Sequence, residues 1–505
     1  MILTIDMGTT VTKVSLWGPD GMVAHCGIPL VTARPGPDRA EQDPSSWWAS
    51  LVDGCARLRA GAGDHFGAVE VVGCTGARQS LVMVGADGTP LGPALVWSDR
   101  RAASEATALA GAMGGGEEVF DRTGVPVEAG SVAAKLAWLA THRGPHFDAA
   151  AWILTPRDLV AWWLSGRVVT DPTMASRSGL YDLDGRVVDG LAGAASAKLA
   201  PIVPADRVSG HLGAAAAGAL GLVEGTPVVI GAGDRACEVV GAGAGGERPM
   251  VSWGTTANVS WPVDHRPGRR PGGLVLSRGA LGGWLVEGGL SAAGSLMDWL
   301  GRISGRTPAE LAGLAGSSPP GARGVVAAPW LDGARAPWWN HGAAAGFVGL
   351  TAAHGLEDLA RAAFESVAWE VRRCLEEVGP APVELALAGT GSSVPVWVEV
   401  LTGVTGLPAV RRRSGQAASA GAAVLAAAAV GMEFDLDTAD PVADRVVPVD
   451  AAVDGYRRQR DRVDRVAGAL VALEGAGDRV DRVAGALVAL EGAGDRPGPG
   501  AGPCA

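Results

Sequence analysis

The sequence predicts an α/β fold built as two similar halves around a cleft, and three observations lead there. The chain has 505 residues, too many for one ordinary core and enough for two or three domains. Short β-rich runs alternate with helical patterns, the order that gives sheets covered by helices. A strand, a Gly-Thr-Thr turn and a second strand at Asp6–Ser15 return at Ser252–Ser260, the mark of an internal repeat.

Along the chain, Ile2–Ile5 and Val14–Trp17 flank the first turn and read as a hairpin, and Val69–Val72 as a further strand. Helical patterns cover Pro44–Ala60, Arg100–Gly111, Val132–His142 and Asp158–Leu164. The strand Pro227–Ile230 runs into Gly231-Ala232-Gly233-Asp234, and a Gly-rich stretch at 241–246 leads to the strand Met250–Trp253. These mark a first domain at 1–245 and a second at 246–457. The second half continues with helices at Ser291–Ile303, Leu356–Val378 and Val394–Val404, the last preceded by a strand at Val383–Ala388. Ala417–Met432 is the longest apolar stretch; it is alanine-rich and too short for a membrane span, which makes it a buried helix. In the remainder, 458–505, Asp461–Gly477 reads DRVDRVAGALVALEGAG, and Asp478–Gly494 repeats it without a change. The first copy can form a terminal amphipathic helix, and the Pro/Gly-rich Arg496–Ala505 reads as disordered.

Composition removes several function classes. Hydrophobic residues make up 48% and charged residues 19%, a globular balance. The formal net charge of -11 argues against a sequence-independent nucleic-acid binder. Six scattered cysteines form no Cys-x-x-Cys pair, which excludes a zinc knuckle and fits a reducing compartment. The N-terminus has neither basic region nor apolar core of a signal peptide. A cytoplasmic protein without nucleic-acid or membrane partner is expected, and a homodimer is left open.

Four motifs can carry chemistry. In Asp6-x-Gly8-Thr9-Thr10-x-x-Lys13 the glycine lets backbone N–H groups approach a phosphate, the hydroxyls add donors, and the carboxylate can hold Mg²⁺ through water. Gly254-Thr255-Thr256 is the matching turn, so the two could grip a polyphosphate from both sides. The loop Gly389-Thr390-Gly391, between a strand and a helix, suits a nucleotide. Asp234 could accept the proton of an attacking hydroxyl, or cap the helix that begins near Arg235. A Walker A loop is excluded because no Gly-Lys pair occurs, and His-Arg-Asp, His-Glu-x-x-His and Gly-x-Ser-x-Gly are missing. Gly241-x-Gly243-x-x-Gly246 matches a dinucleotide fingerprint only formally, since it follows a helical stretch.

Together with Glu41-Gln42-Asp43-Pro44, Trp97-Ser98-Asp99-Arg100-Arg101, Thr155-Pro156-Arg157-Asp158, Thr170-Asp171 and Gly346-Phe347-Val348-Gly349-Leu350, these residues resemble the FGGY family of carbohydrate kinases, which includes xylulokinase, gluconokinase and glycerol kinase. The resemblance runs over roughly residues 1–457 and implies two ribonuclease-H-like domains of the actin-like ATPase superfamily, closing on ATP–Mg²⁺ and a sugar. It implies Asp234 as catalytic base, and Asp6, Gly8, Thr9, Thr10, Lys13, Gly254, Thr255 and Thr256 around phosphates and Mg²⁺, with Asp6 the metal residue. Gly389, Thr390 and Gly391 would lie at the nucleotide, and Arg78, Gln79, Trp97 and Asp99 would line the sugar pocket. Ala77-Arg78-Gln79-Ser80 departs from the xylulokinase pattern toward that of glycerol kinases, and Gly333-Ala334-Arg335-Ala336-Pro337 departs from the family's Gly-Glu-Arg-x-x-Pro. The expected acceptor is a pentulose such as xylulose; glycerol or another polyol, gluconate, and a non-catalytic ATP- or sugar-sensing module are the alternatives.

Overall fold

The computed structural model describes residues 1–268, 272–379 and 381–472. The first turn is flanked by β1 (Ile2–Met7) and β2 (Val11–Gly18), which pair antiparallel from Ile2–Trp17 to Met7–Thr12. They continue into β3 (Gly21–Pro29), a strand that the sequence pattern did not predict. β4 (Val71–Gly76) lies parallel to β1 on its other side, followed outward by β6 (Pro227–Val229) and β5 (Val208–His211), in the order β3-β2-β1-β4-β6-β5.

The second half repeats the plan. β7 (Met250–Trp253) and β8 (Ala257–Val263) flank the second Gly-Thr-Thr turn and pair antiparallel. β9 (Val275–Arg278), β10 (Trp284–Leu290), β11 (Leu385–Ala388), β12 (Ala409–Arg412) and β13 (Val442–Val446) complete a sheet ordered β9-β10-β8-β7-β11-β12-β13. β3-β2-β1-β4-β6 and β10-β8-β7-β11-β12 have the same order and the same senses: two antiparallel pairs, then two parallel ones. The internal repeat read from two turns is therefore a repeat of the whole sheet.

Each sheet is covered by helices whose apolar spacing fits one face. In α1 (Ser45–Ala62) the buried residues Trp47, Leu51, Cys55 and Leu58 recur every three or four positions and meet Leu3, Ile5, Val14 and Leu16. Burying side chains of this size contributes about 1.5–3 kcal/mol each. A second cluster, built around α2 (Val132–His142) and Leu81, Leu95 and Tyr181, forms a layer inserted between β4 and β5. The second sheet packs on α4 (Leu356–Val378) and α5 (Pro395–Thr405).

The halves are joined by small residues. α3 (Asp234–Gly241) follows the first sheet, and α6 (Ala417–Val430) belongs to the second. A Cβ on Gly241 would sit 1.9 Å from the Ala417 carbonyl oxygen, and one on Gly421 would sit 1.9 Å from that of Cys237. Gly73 in β4 faces the Ala422 carbonyl oxygen in the same way, at 2.8 Å for an added Cβ. The alanine-rich stretch is thus a buried helix whose small side chains allow backbone-to-backbone approach. Its Ser419 hydroxyl meets Thr4 at 2.6 Å and accepts the indole N–H of Trp17 at 2.8 Å.

The terminal helix, α7, spans Asp450–Val471 and starts earlier than the sequence suggested. Tyr456, Val463 and Val466 join the core of the second half. The rest of the duplicated unit and the Pro/Gly tail lie outside the described residues.

Candidate active site

Asp6 is the penultimate residue of β1, just before the first turn, and is held against Lys13, its cross-strand partner, at 3.9 Å. It is buried, and its Oδ1 has no hydrogen-bond partner among the described residues. Burial pushes its carboxyl up to about 6; Lys13 works against that, while Asp234 and Glu238 add to it. An orphaned buried carboxylate with two acids in its field suits a divalent cation, which would supply the positive charge that Lys13 gives only in part. Among the described residues no three His, Cys, Asp or Glu side chains gather closely enough to ligate a metal together.

The two turns approach one site. Glu238 in α3 lies in the field of Asp6 and accepts the Ser252 hydroxyl at 2.7 Å, two residues before Gly254. Gly8 has a structural reason to be glycine, since a Cβ there would be 2.7 Å from the Val11 carbonyl oxygen. Thr9 and Gln42 are joined by a side-chain bond to the Thr9 carbonyl, and the Thr10 carbonyl accepts Leu30 N–H at 2.7 Å, so the turn is braced while both hydroxyls stay accessible. In the second turn Gly254 N–H donates to the Thr256 carbonyl, and the Gly254 and Thr255 carbonyls accept the first N–H groups of the helix Gly294–Ser304.

The Gly389-Thr390-Gly391 loop packs directly behind the second turn. Gly389 adopts φ +77°, and a Cβ there would lie 2.1 Å from the Trp253 carbonyl oxygen. A Cβ on Gly391 would lie 2.6 Å from that of Trp253. Both glycines are needed for this loop to reach the turn.

Asp234 opens α3. Gly233 occupies the cap position, and no side chain caps the helix, which removes the cap reading for Asp234. Its Oδ1 accepts the Arg235 N–H at 2.7 Å, and 42% of the side chain is exposed. The approach to Asp234 is fixed from behind by fully buried Arg157. That guanidinium bonds Asp158, Asp171 and the Gly231 carbonyl; Asp171 holds Thr173 N–H, and the Thr173 hydroxyl accepts Gly233 N–H at 2.8 Å.

Asp234 faces a cavity of about 210 Å³ that both halves line. Arg78, Gln79, Trp97, Arg177, Asp234 and Arg235 come from the first half, and Thr256, Asn258, Glu287, Arg335 and Trp339 from the second. Arg78 donates to both Glu287 oxygens, at 2.8 and 2.7 Å, and its Nε lies 3.5 Å from Asp234. Burial would raise the Glu287 carboxyl, but Arg78 and Arg177 bring it down to about 2. Gln79 has φ +59°, and Lys135 holds that segment by donating to the carbonyls of Gln79 and Val96, at 3.0 and 2.8 Å. The Ser80 hydroxyl accepts Trp97 N–H, so both wall segments share one brace.

The structure places the Asp99 carboxylate fully buried, bound by Arg101 and the Ala40 N–H, apart from the residues that line this cavity. A short acid flanked by arginines in sequence is satisfied locally before it can reach a ligand. Glu287, Glu238, Arg177 and Trp339 were missed, though a lone carboxylate inside the apolar strand Trp284–Leu290 is a signal a sequence can give.

The family model for the N-terminal domain of the FGGY family of carbohydrate kinases matches residues 1–241, and that for the C-terminal domain matches residues 251–430. The chain belongs to the FGGY family of carbohydrate kinases. It is similar to glycerol kinase of Gloeobacter violaceus, 31% identical over 91% of this chain and 93% of that one. It is also similar to gluconokinase of Bacillus subtilis, 26% identical over 90% and 93%. The crystal structure of xylulose kinase from Rhodospirillum rubrum superposes with a TM-score of 0.85 at 28% identity, covering 93% of this chain and 98% of that one. The two-domain, actin-like architecture is thus that of FGGY kinases, enzymes that phosphorylate carbohydrate hydroxyls.

Proposed function

We propose that the protein transfers the γ-phosphoryl group of ATP to a hydroxyl of a monosaccharide-sized acceptor held in the cavity between the halves, with Asp234 as general base. The observation that carries this is the half-exposed Asp234 carboxylate on the cavity wall, with Thr256 of the second Gly-Thr-Thr turn lining the same cavity and Asp6, beside the first turn, in its electrostatic field. Asp234 takes the proton of the attacking hydroxyl, and Arg78, 3.5 Å away, orients the carboxylate. The N–H groups and hydroxyls of Gly8–Thr10 and Gly254–Thr256 hold the phosphates, and the Gly389–Gly391 loop holds the nucleoside. Mg²⁺ at Asp6, through water, would neutralise charge on the phosphates. Closure of the halves keeps water from competing with the acceptor. Its five described cysteines, all unpaired, support a reducing, cytoplasmic setting.

The cavity's size admits a pentulose such as xylulose, the acceptor expected from the sequence, and equally glycerol, another polyol or an aldonate. An ADP-release assay with Mg²⁺ over a panel of ketoses, aldonates and polyols tests the reading; at least one member should raise turnover well above the basal rate. A flat response across the panel would favour a sensing module.

A further inference from the structure

Four guanidinium groups line the acceptor cavity, and they are not equally occupied. Arg78 is spent on Glu287 and Asp234, the two acids of the wall. Arg235 is paired with Glu238 outside it. Arg177 is buried and reaches Glu287 only at 3.9 Å; its Nε and Nη1 make no hydrogen bond among the described residues. Arg335, from the opposite half, leans toward Trp339 at 5.9 Å from the ring centre, and its Nε also lacks a hydrogen bond. The one further acid in Arg177's field, Glu128, makes no hydrogen bond to it and lies 3.9 Å from His341. The two acids that line the cavity are thus engaged mainly by Arg78, which leaves neither as a hydrogen-bond partner for Arg177 or Arg335 there; Glu128, which does not line the cavity, keeps an Oε2 unbonded among the described residues.

Leaving a buried guanidinium without an anion is costly, and placing a second beside it adds repulsion. Burial together with Arg78 and Arg335 pulls the Arg177 guanidinium down to about 10, with Glu287 and Glu128 opposing. A bound anion would relieve both costs. The transferred phosphate is a poor candidate, because only Thr256 of the two phosphate turns reaches this cavity, whereas Gln79 and Trp97 line it alongside Arg177.

We infer that Arg177 and Arg335 form a clamp for a carboxylate on the acceptor, so that the substrate is a short polyhydroxy acid of the aldonate class and not a neutral pentulose. The inference rests on the cavity being the acceptor site. It moves the acid-binding role away from Arg78, which Glu287 occupies. A carboxylate presents two coplanar acceptors to each planar guanidinium fork, a match that a hydroxyl cannot give.

Calorimetry without ATP separates binding from turnover. Matched pairs, gluconate against glucitol and xylonate against xylitol, are titrated into the full chain at low salt. The acid should bind at least about tenfold tighter than its alditol, and the preference should rise as salt falls. Arg335→Met, at a partly exposed position, should erase most of the preference. Arg177→Lys, which keeps the charge but loses the fork, should reduce it. Alditols binding as tightly as acids, a preference that survives Arg335→Met, or binding of neither member would overturn the inference. Acid binding without any acceptor-dependent ADP release would leave the clamp standing and defeat the catalytic reading instead.

Discussion

Arg78 and Glu287 meet across the cleft in a two-pronged ion pair, with Nη1 and Nη2 at 2.8 and 2.7 Å from the two carboxylate oxygens. One comes from the loop after β4 and the other from β10, so the pair exists only while the halves are together. It also orders the wall: Ser277 donates to the same carboxylate at 3.0 Å, and Arg78 reaches on to Asp234. Glu287→Gln leaves Arg177 without its acid and Arg78 with only Asp234 at 3.5 Å, a change of up to about 3–5 kcal/mol. The expected outcome is a lower melting temperature and a raised KM for the acceptor. A double-mutant cycle with Arg78→Met measures the coupling, and a coupling near zero would mean that the pair does not hold the closed state.

Asp234→Asn keeps the size of the side chain and its bond to the Arg235 N–H but removes the basic oxygen. kcat should fall by about 10²–10⁴-fold while nucleotide and acceptor still bind. Single-turnover kinetics with calorimetric binding reads both. Unchanged kcat would show that the proton leaves by another route.

Gly389→Ala places a methyl group 2.1 Å from the Trp253 carbonyl oxygen, at a φ of +77° that alanine resists. The loop must shift, at a cost of more than about 1 kcal/mol. Because Trp253 precedes the second phosphate turn, the KM for ATP should rise more than that for the acceptor. Equal rises would point to a global loss of stability.

Lys135 gives a pH signature. Burial pulls its ammonium down to about 7, with Asp99 and Glu128 opposing, while in the unfolded chain it titrates near 10.5. Between those values the unfolded state holds a proton that the folded state has released, so stability rises with pH by at most about 1.4 kcal/mol per unit. Relative to Lys135→Met, the wild type should gain about 2 kcal/mol between pH 7 and pH 9 in urea unfolding. A gap that does not change with pH would mean that the ammonium stays charged in the fold. The same substitution frees the Gln79 and Val96 carbonyls, so acceptor KM should rise at either pH.

The turns at Gly8 and Gly254, Asp234 after its strand, and helices such as Val132–His142 and Leu356–Val378 were legible because their signals are local: a glycine, a strand running into a Gly-x-Gly turn, a periodic apolar face. What the sequence hid is pairing between distant segments. Arg78 reads as a free ligand until β10 delivers Glu287 to it, and Asp99 reads as a pocket acid until Arg101 closes over it. β3, β12 and β13 are bounded by turn residues but show no clear alternating apolar run, and they become strands by adding to sheets already formed. The buried arginines Arg157 and Arg361 are unreadable without their partners, since an isolated arginine in a sequence belongs on the surface.

Two C-terminal deletions should behave differently, because the described anchors of the terminal helix all lie before residue 478. Every buried residue of α7 lies at or before Ala467, and so do its side-chain cross-links: Tyr456 bonds Arg361 and Glu365, and Asp464 bonds Arg372 and Arg373. Its final carbonyl, Val471, accepts the Asn340 amide at 2.6 Å, and the Asn340 carbonyl in turn accepts Ala334 N–H, closing the loop that carries Arg335 and Trp339 into the cavity. Removing residues 478–505 keeps all of these contacts, so melting temperature and kcat should not change. Removing 461–505 takes away Val463, Val466, the Asp464 pairs and the Val471 anchor together. That protein should melt several degrees lower, and its acceptor KM should rise beyond what Val463→Ala alone produces, because the Arg335 loop loses its tether. A fall in melting temperature for the shorter deletion would mean that the second copy of the repeat contributes packing of its own, while an unchanged acceptor KM in the longer one would show that the loop holds its shape without the helix.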